Sequence, residues 1–116
     1  MTTAGAAAET LAAEYLMRQG LAIVARNFRT RAGEIDVVAR DGRTLVFVEV
    51  RMRRSASHGG AVESITAQKR RRLVAAANGY LAMLGREPPC RFDAILMHAL
   101  DPRSIEWRRD IVGVDA

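Results

Sequence analysis

The sequence predicts one α/β domain over residues 1–116, with a mixed central sheet flanked by helices. Helix-like and strand-like segments follow one another in the order α-β-β-β-α-β, which is typical of this class. The second and third strands form an antiparallel hairpin, and the fourth is reached through a helical crossover. A length of 116 residues, 49% of them hydrophobic, is enough for one core and too short for two.

Two segments are predicted to be helices. From about Ala6 to Gln19 apolar residues recur at helical spacing, and Gly20 stands where a left-handed C-terminal cap is expected. A second helix extends from about Thr66, a suitable N-cap, to Leu84. Its apolar stripe consists of Leu73, Ala76, Ala77, Tyr80, Leu81 and Leu84.

Four short segments are predicted to be strands, because they are apolar, partly β-branched and bounded by turn residues. An Asp-Gly dipeptide between the second and third is the strongest short-range hairpin signal. The small and basic residues of Met52–Gly60 predict a mobile loop, and Ser104–Val114 is compatible with a last strand or an irregular cover. The predicted strands are Leu21–Arg26, Glu34–Ala39, Thr44–Arg51 and Arg91–Ala99.

Composition narrows the classes of partner and compartment. A formal net charge of +5 and a pI near 10.6 favour a polyanionic partner, although a solvated basic surface would give the same values. One cysteine and two histidines exclude an internal disulfide and a Cys/His zinc site, which fits a reducing compartment. The N-terminal segment has no basic leader and no long apolar run, so we expect a cytoplasmic protein.

The predicted hairpin places its charged residues on one face. A two-residue turn at the Asp-Gly dipeptide pairs Val38 with Leu45 and Glu34 with Glu49. Side chains alternate along a strand, so one face becomes apolar and the other charged. The apolar face consists of Ile35, Val37, Ala39, Val46, Val48 and Val50, and the charged face of Glu34, Asp36, Glu49 and Arg51.

The charged face is a candidate metal site. Asp36 and Glu49 would be diagonal neighbours about 7–8 Å apart, close enough to share one cation. Mg²⁺ or Mn²⁺ suits this oxygen-rich set, to which the Val50 carbonyl could add a ligand. Arg51 could neutralise charge on a phosphodiester. The alternative is a wet hairpin face with weak surface ion pairs, although the opposition of Glu34 and Glu49 favours a cation.

Other charged residues are candidates to complete the site. Glu9, on the first helix, is predicted either to bind the metal or to be a first-turn acid that favours the helix dipole. In QKRRR, Lys69 and Arg70 continue the apolar stripe of the second helix. Cations at a helix N-terminus are unfavourable unless an anion binds, so a phosphate or a solvated basic turn is expected there.

The sequence also predicts roles for the basic residues after the third predicted strand, for one charged pair and for the single cysteine. Arg53 and Arg54 follow Arg51 into the loop that contains His58, and the three arginines are predicted to contact phosphates. Arg91 and Asp93 share a strand face and are predicted to form a structural ion pair. Cys90 is predicted to be a small core residue.

The motifs GEID (Gly33–Asp36) and FVEVR (Phe47–Arg51), with AETLAAEYL, RNFR, QKRRR and RFDAI, resemble the YraN-like (UPF0102) family of small bacterial proteins. That family is placed among the restriction-endonuclease-like PD-D/E-x-K nucleases. The resemblance implies a restriction-endonuclease-like core, Asp36 and Glu49 as metal ligands, and Arg51 at the position of the motif lysine. A similarity to archaeal Holliday junction resolvases implies an acidic ligand at Glu9, branched DNA substrates and a homodimer.

The leading hypothesis is a Mg²⁺- or Mn²⁺-dependent endonuclease acting on DNA. Asp36 and Glu49 would hold the metal, an activated water would attack, and Arg51 with Lys69 would stabilise the developing charge. Arginine cannot act as a general base, so the alternative is a non-catalytic nucleic-acid-binding adaptor that keeps the nuclease fold. A protein-interaction domain with no nucleic-acid role is a third hypothesis.

Overall fold

The computed structural model describes residues 3–52 and 65–112, which form two α-helices and five strands. The predicted order α-β-β-β-α-β is confirmed, and a short fifth strand is added after a 3₁₀ turn at Pro102–Ser104. Within these residues, no helix combines the length and the apolar character needed to cross a membrane. The elements are α1 (Thr3–Arg18), β1 (Ala22–Arg29), β2 (Glu34–Asp41), β3 (Thr44–Met52), α2 (Ala67–Leu84), β4 (Cys90–Met97) and β5 (Glu106–Arg108).

The five strands form one mixed sheet in the order β1-β2-β3-β4-β5. Neighbouring strands are antiparallel except β3 and β4, which are parallel and joined through α2. This parallel pair is the helical crossover that the sequence predicts. The sequence of the C-terminal segment is compatible with a last strand or an irregular cover, and the structure contains both. The three-residue strand β5 is followed by irregular chain up to Val112.

The helix limits reflect local capping. α2 begins as predicted, because the Thr66 side chain accepts a hydrogen bond from the Lys69 N–H at 3.2 Å. It ends at Gly85, whose left-handed φ of 79° allows its N–H to bond the Leu81 carbonyl. α1 starts three residues before the predicted Ala6, at Thr3.

Both faces of the sheet are covered, so much of the hairpin face predicted to be charged is apolar, while the four charged residues predicted to share that face do line one pocket. α1 packs Ala12 and Leu16 on one face, and α2 packs Leu73 and Tyr80 on the other. Helices on both sides are typical of a sheet with a parallel crossover. Five of the six predicted apolar-face residues lie on the α1 side, but Ile35 packs on the α2 side. The α2 side also takes Val38, Leu45 and Phe47.

The hairpin register also differs from the prediction by two residues. Val38 pairs with Phe47, not Leu45, and Asp41 pairs with Thr44. The loop therefore consists of Gly42 and Arg43, and the φ of Gly42 is 61°. Glycine in the first central position is typical of a type II′ turn. The recorded pairing of β2 with β3 ends at Val37 and Val48, and beyond it the Asp36 side chain accepts a hydrogen bond from the Val50 N–H, so the predicted pair of Glu34 with Glu49 does not belong to this ladder.

A buried polar network joins β4, β5 and the hairpin tip. Asp93 has no exposed surface, and its carboxylate accepts hydrogen bonds from Arg91 Nε at 3.1 Å and Trp107 Nε1 at 2.9 Å. The Asp110 backbone N–H donates at 2.9 Å, and Arg91 Nη1 reaches Asp41 at 3.1 Å. The predicted ion pair between Arg91 and Asp93 is confirmed. Cys90 is only partly buried, and it packs against the core under α2.

The turn before β2 touches the backbone of α2. The Thr30 N–H donates to the Gly33 carbonyl at 2.8 Å, and the Thr30 hydroxyl accepts from the Gly33 N–H at 3.2 Å. A Cβ atom at Gly33 would lie 2.1 Å from the Arg72 carbonyl oxygen. Only glycine permits this approach, which seats the first turns of α2 against the start of β2.

Gly33→Ala is therefore expected to destabilise the protein, because the α2 backbone must move to admit a methyl group. Overpacking of this kind costs about 1–3 kcal/mol, and more where backbone is the obstacle. The midpoint of thermal unfolding should fall by roughly 5 °C or more. Gly79→Ala is the matched control, because its Cβ would meet only the Thr30 methyl group, at 3.1 Å. Equal unfolding midpoints for the two variants would contradict the role of this contact.

Candidate functional site

Four carboxyl side chains line one pocket of about 340 Å³ at the end of β2 and β3 that is remote from the hairpin turn. The pocket joins residues from α1, β2 and β3, and we call it the acidic pocket. The structure therefore brings together Glu9, Asp36, Glu49, Val50 and Arg51, all five of which sequence reasoning selected. The lining consists of Gly5, Ala8, Glu9, Glu34, Asp36, Glu49, Val50, Arg51 and Met52.

A backbone hydrogen bond fixes the orientation of Asp36. The Val50 N–H donates to Asp36 Oδ2 at 2.8 Å, and this bond ties the beginning of β2 to the end of β3. One carboxylate oxygen is thereby committed to the sheet, and the other is left for the pocket. Coordination of a metal by the Val50 carbonyl remains a prediction.

The pKa values of the two central carboxyl groups, those of Asp36 and Glu49, are both raised. Burial, and next the Glu49 carboxylate, raises the pKa of Asp36 to about 7, although the Val50 N–H acts in the opposite direction. Burial also raises the pKa of Glu49, against the lowering effects of Arg51, Lys69 and a hydrogen bond from Asp36. Two buried acids that cannot both ionise easily would be relieved by a cation between them.

Glu9 contributes an unsatisfied oxygen to the same pocket. Its side chain is 15% exposed, and Oε1 is buried without a hydrogen-bond partner among residues 3–52 and 65–112. Arg26 Nη2 lies 3.8 Å from Oε1, which is too far for a hydrogen bond. Because α1 begins at Thr3, Glu9 is not in its first turn, so the predicted helix-dipole role is wrong. A buried carboxylate oxygen without a donor indicates a water or an ion.

The residues fit a divalent cation held by two carboxylates. Magnesium is commonly bound through one or two carboxylates, with water and substrate phosphate completing its shell. Asp36 and Glu49 supply this donor set. In the part of the chain that the structure describes, no three Asp, Glu, His or Cys side chains are grouped closely enough to hold a metal. Direct coordination of a metal by Glu9 remains a prediction.

Two cations border the carboxylate pair. Arg51 Nη1 lies 3.8 Å from Glu49 Oε2, and its side chain is 30% exposed. Lys69, in the first turn of α2, is close enough to lower the pKa of Glu49. The contact of Gly33 with α2 holds this turn near the start of β2. The structure thus places Arg51 and Lys69 beside the acids, as the sequence predicted.

The other predicted contact residues are placed differently. Arg70 does not line the acidic pocket, because its Nη1 donates to the Ile65 carbonyl at 2.9 Å. Arg53, Arg54 and His58 lie outside the described residues, as does most of the predicted loop. Met52 belongs to β3 and not to that loop.

The fourth carboxyl group of the pocket is Glu34, which the sequence places on the charged face but not among the metal ligands. Glu34 lines the pocket from the exposed start of β2, where Arg29 Nε lies 3.3 Å from its carboxylate. The register predicted from the turn made Glu34 the cross-strand partner of Glu49 and not a separate wall of the pocket. Its place in the GEID motif, two residues before Asp36, was the available signal.

Asp36→Asn is expected to make stability less dependent on pH. The folded protein keeps a proton on Asp36 up to a pKa of about 7, whereas the ordinary value is 3.8. The folded state therefore binds more protons in that range, and the unfolding free energy falls as pH rises through it. The wild type should lose up to about 4 kcal/mol relative to the variant between pH 4 and pH 8. Urea unfolding across this range measures the difference.

The matched control for this experiment is Glu34→Gln, which removes an exposed carboxylate from the rim of the same pocket. Its pH profile should parallel that of the wild type. Mg²⁺ should stabilise the wild type more at pH 8 than at pH 5, because the ion competes with the shared proton. Parallel profiles for Asp36→Asn and the wild type would contradict the raised pKa.

Comparisons with known proteins identify relatives across nearly the whole chain. A sequence model described as "Uncharacterised protein family UPF0102" matches residues 8–97. A UPF0102 protein of Methylobacillus flagellatus is 52% identical over 110 residues, which cover 95% of this chain and 96% of the relative. Another, from Cupriavidus taiwanensis, is 54% identical over 97% of this chain and 84% of its own length. A third, from Nitrosospira multiformis, is 50% identical over 96% and 93%. This chain therefore belongs to the UPF0102 family.

Proposed function

We propose that this protein is a cytoplasmic, Mg²⁺- or Mn²⁺-dependent endonuclease that hydrolyses phosphodiester bonds in DNA. The observation that carries the proposal is the juxtaposition of Asp36 and Glu49 in a pocket bordered by Arg51 and Lys69. A pair of buried acids with raised pKa values is a common feature of functional sites. The net charge of +5 supports a polyanionic substrate.

Asp36 and Glu49 would hold the cation. When bound, the cation would neutralise charge on the phosphodiester and promote attack by water. The Val50 N–H fixes the Asp36 carboxylate before the ion arrives, so little rearrangement is needed. Glu9, with its unsatisfied oxygen, would orient water within the acidic pocket.

Arg51 and Lys69 would bind the reacting phosphate. The guanidinium of Arg51 stays protonated at neutral pH, so it positions and stabilises an anion but does not remove a proton from water. Its contact with Glu49 at 3.8 Å is loose enough to be exchanged for a phosphate oxygen. Lys69 would add a compact positive charge from α2.

The similarity to junction resolvases favours branched DNA as the substrate, and it also suggests a homodimer, whose two pockets would act on two strands. Purified protein should be incubated with Mn²⁺ or Mg²⁺ and labelled four-way junctions, flaps, single strands and duplexes. At least one substrate should be nicked, and EDTA should prevent cleavage. Absence of cleavage in every combination would contradict the enzymatic proposal.

The position of Arg51 favours one alternative, a nucleic-acid-binding adaptor without catalysis. The pattern of the nuclease superfamily has lysine there, and arginine differs from it in shape, hydration and ease of deprotonation. DNA binding that weakens with salt, yet is unchanged by metal and by Asp36→Ala, would support the adaptor. No binding to DNA at moderate salt would support a protein-interaction domain.

A further inference from the structure

A second pocket, of about 280 Å³, is separated from the acidic pocket by β4, and three arginines are among its lining residues. Arg70 lines it from α2, and Arg108 and Arg109 line it from β5 and the chain that follows. None of its lining residues is acidic, and its remaining walls are apolar. We call it the arginine pocket, and its lining consists of Ile65, Arg70, Ala94, Arg108, Arg109 and Ile111.

The arginine pocket lies level with the acidic pocket along the strands. Glu49 in β3 pairs with Ala94 in β4, and Ala94 pairs with Arg108 in β5. Neighbouring strands are about 4.8 Å apart, so the backbones of Glu49 and Arg108 are separated by roughly 10 Å across the sheet. At about 3.4 Å of rise per nucleotide, this separation corresponds to roughly three nucleotides of one strand.

Contacts within the protein hold the Arg70 guanidinium at the pocket and the Arg109 guanidinium away from it. The guanidinium of Arg109 lies over the Trp107 ring, 4.1 Å from its centroid, and that ring packs edge-on against Tyr15 on the α1 side of the sheet. The pocket lies on the opposite side, where Ile111 packs beneath α2. The Arg70 guanidinium is held by the Ile65 carbonyl. A group that is fixed before binding loses little conformational entropy when an anion arrives.

The third arginine can exchange its present partner for a ligand. Arg108 forms an ion pair with Glu106, and both side chains are about half exposed to solvent. Exposed ion pairs contribute little free energy, so a phosphate can compete for the guanidinium. Planar guanidinium forks match the oxygens of a phosphate, and apolar walls strengthen the attraction by excluding water.

We infer that the arginine pocket binds a backbone phosphate of a nucleic-acid strand whose reacting phosphate lies at the acidic pocket. This inference rests on the proposed function for the identity of the polyanion. The pocket contacts the backbone and not the bases, so it positions the strand without selecting its sequence. Arg108 thereby joins Arg70 as a contact residue, and the two fix the direction in which the strand crosses the sheet.

Arg108→Gln tests the inference through DNA binding, measured without metal by fluorescence anisotropy of a labelled duplex and a labelled four-way junction. The variant should bind roughly tenfold more weakly at low salt, because a charge-assisted contact is lost. The dependence of log K on log salt should become shallower by about 0.9 for the lost phosphate contact. Arg108→Lys should recover part of the affinity, because it keeps the charge.

Arg43→Gln is the matched control. It removes the same charge from the exposed hairpin turn, at the opposite end of β2 and β3 from the acidic pocket. Its affinity and salt dependence should stay close to the wild type, and thermal unfolding of every variant verifies that the fold is kept. An Arg108→Gln variant that binds DNA as the wild type does would overturn the inference.

Binding and cleavage separate this inference from the proposed function. Arginine-dependent DNA binding supports the pocket even if no substrate is cleaved with Mn²⁺, a result that would contradict only the enzymatic proposal. Metal-dependent cleavage with DNA binding that is insensitive to Arg108 would overturn only the proposed phosphate site at the arginine pocket. A wild-type protein that binds no DNA contradicts both.

Discussion

Glu49→Gln is expected to reduce metal-dependent DNA cleavage by about 10²–10³-fold, because the amide keeps the shape of the side chain but removes half of the charged ligand pair. Glu49 is also a source of repulsion for Asp36, and it raises the pKa of that residue. The variant should therefore unfold at the same temperature as the wild type or higher. Initial rates of nicking, measured with Mn²⁺ at saturating DNA, give the comparison.

Glu34→Gln provides the control for this experiment. It makes the same chemical change in the same pocket, but at an exposed residue that is paired with Arg29. Cleavage by this variant should remain within a few-fold of the wild type. If Glu49→Gln cleaved as fast as Glu34→Gln, Glu49 would not be a metal ligand. If both lost activity with the fold intact, the acidic pocket would act through its total charge.

Asp93→Ala is expected to lower the free energy of unfolding by about 3–5 kcal/mol. The substitution removes the carboxylate that accepts hydrogen bonds from Arg91, Trp107 and the Asp110 backbone. Those donors would remain in a site where Asp93 has no exposure to water, and unpaired buried donors are costly. Urea denaturation monitored by the fluorescence of Trp107, the single tryptophan, measures the loss.

The control for Asp93 is Asp41→Ala, which removes the other carboxylate bound to Arg91. The Asp41 side chain is 41% exposed, so water can replace it and the loss of stability should be much smaller. Similar losses for both variants would show that charge balance at Arg91 matters more than burial. That result would contradict the account of a network held by buried hydrogen bonds.

Much of the fold could be predicted because its signals are local. Thr66 and Gly85 mark the ends of α2 by capping chemistry, and the Asp-Gly dipeptide marks the hairpin. The register could not be predicted, because Asp-Gly and Gly-Arg loops are both plausible turns and differ by two residues in pairing. The second buried face depends on where α2 returns to the sheet, which is a tertiary property.

The candidate site divides in the same way. Asp36 and Glu49 were selected by their spacing about the turn and by the family motifs, and their place in one pocket survives the change of register. Arg108 was not selected, because three residues make β5 too short to be recognised in the sequence. Its proposed role depends on distant pairing with Ala94 and on the position of Arg70.

The shared strand pair limits how this protein can change during evolution. β3 and β4 run side by side, with the acidic pocket at one flank and the arginine pocket at the other. An insertion within either strand would shift the ligands of one pocket past those of the other by one residue. Divergence in substrate choice should therefore accumulate in side chains and in connecting segments, while the lengths of β3 and β4 stay constant.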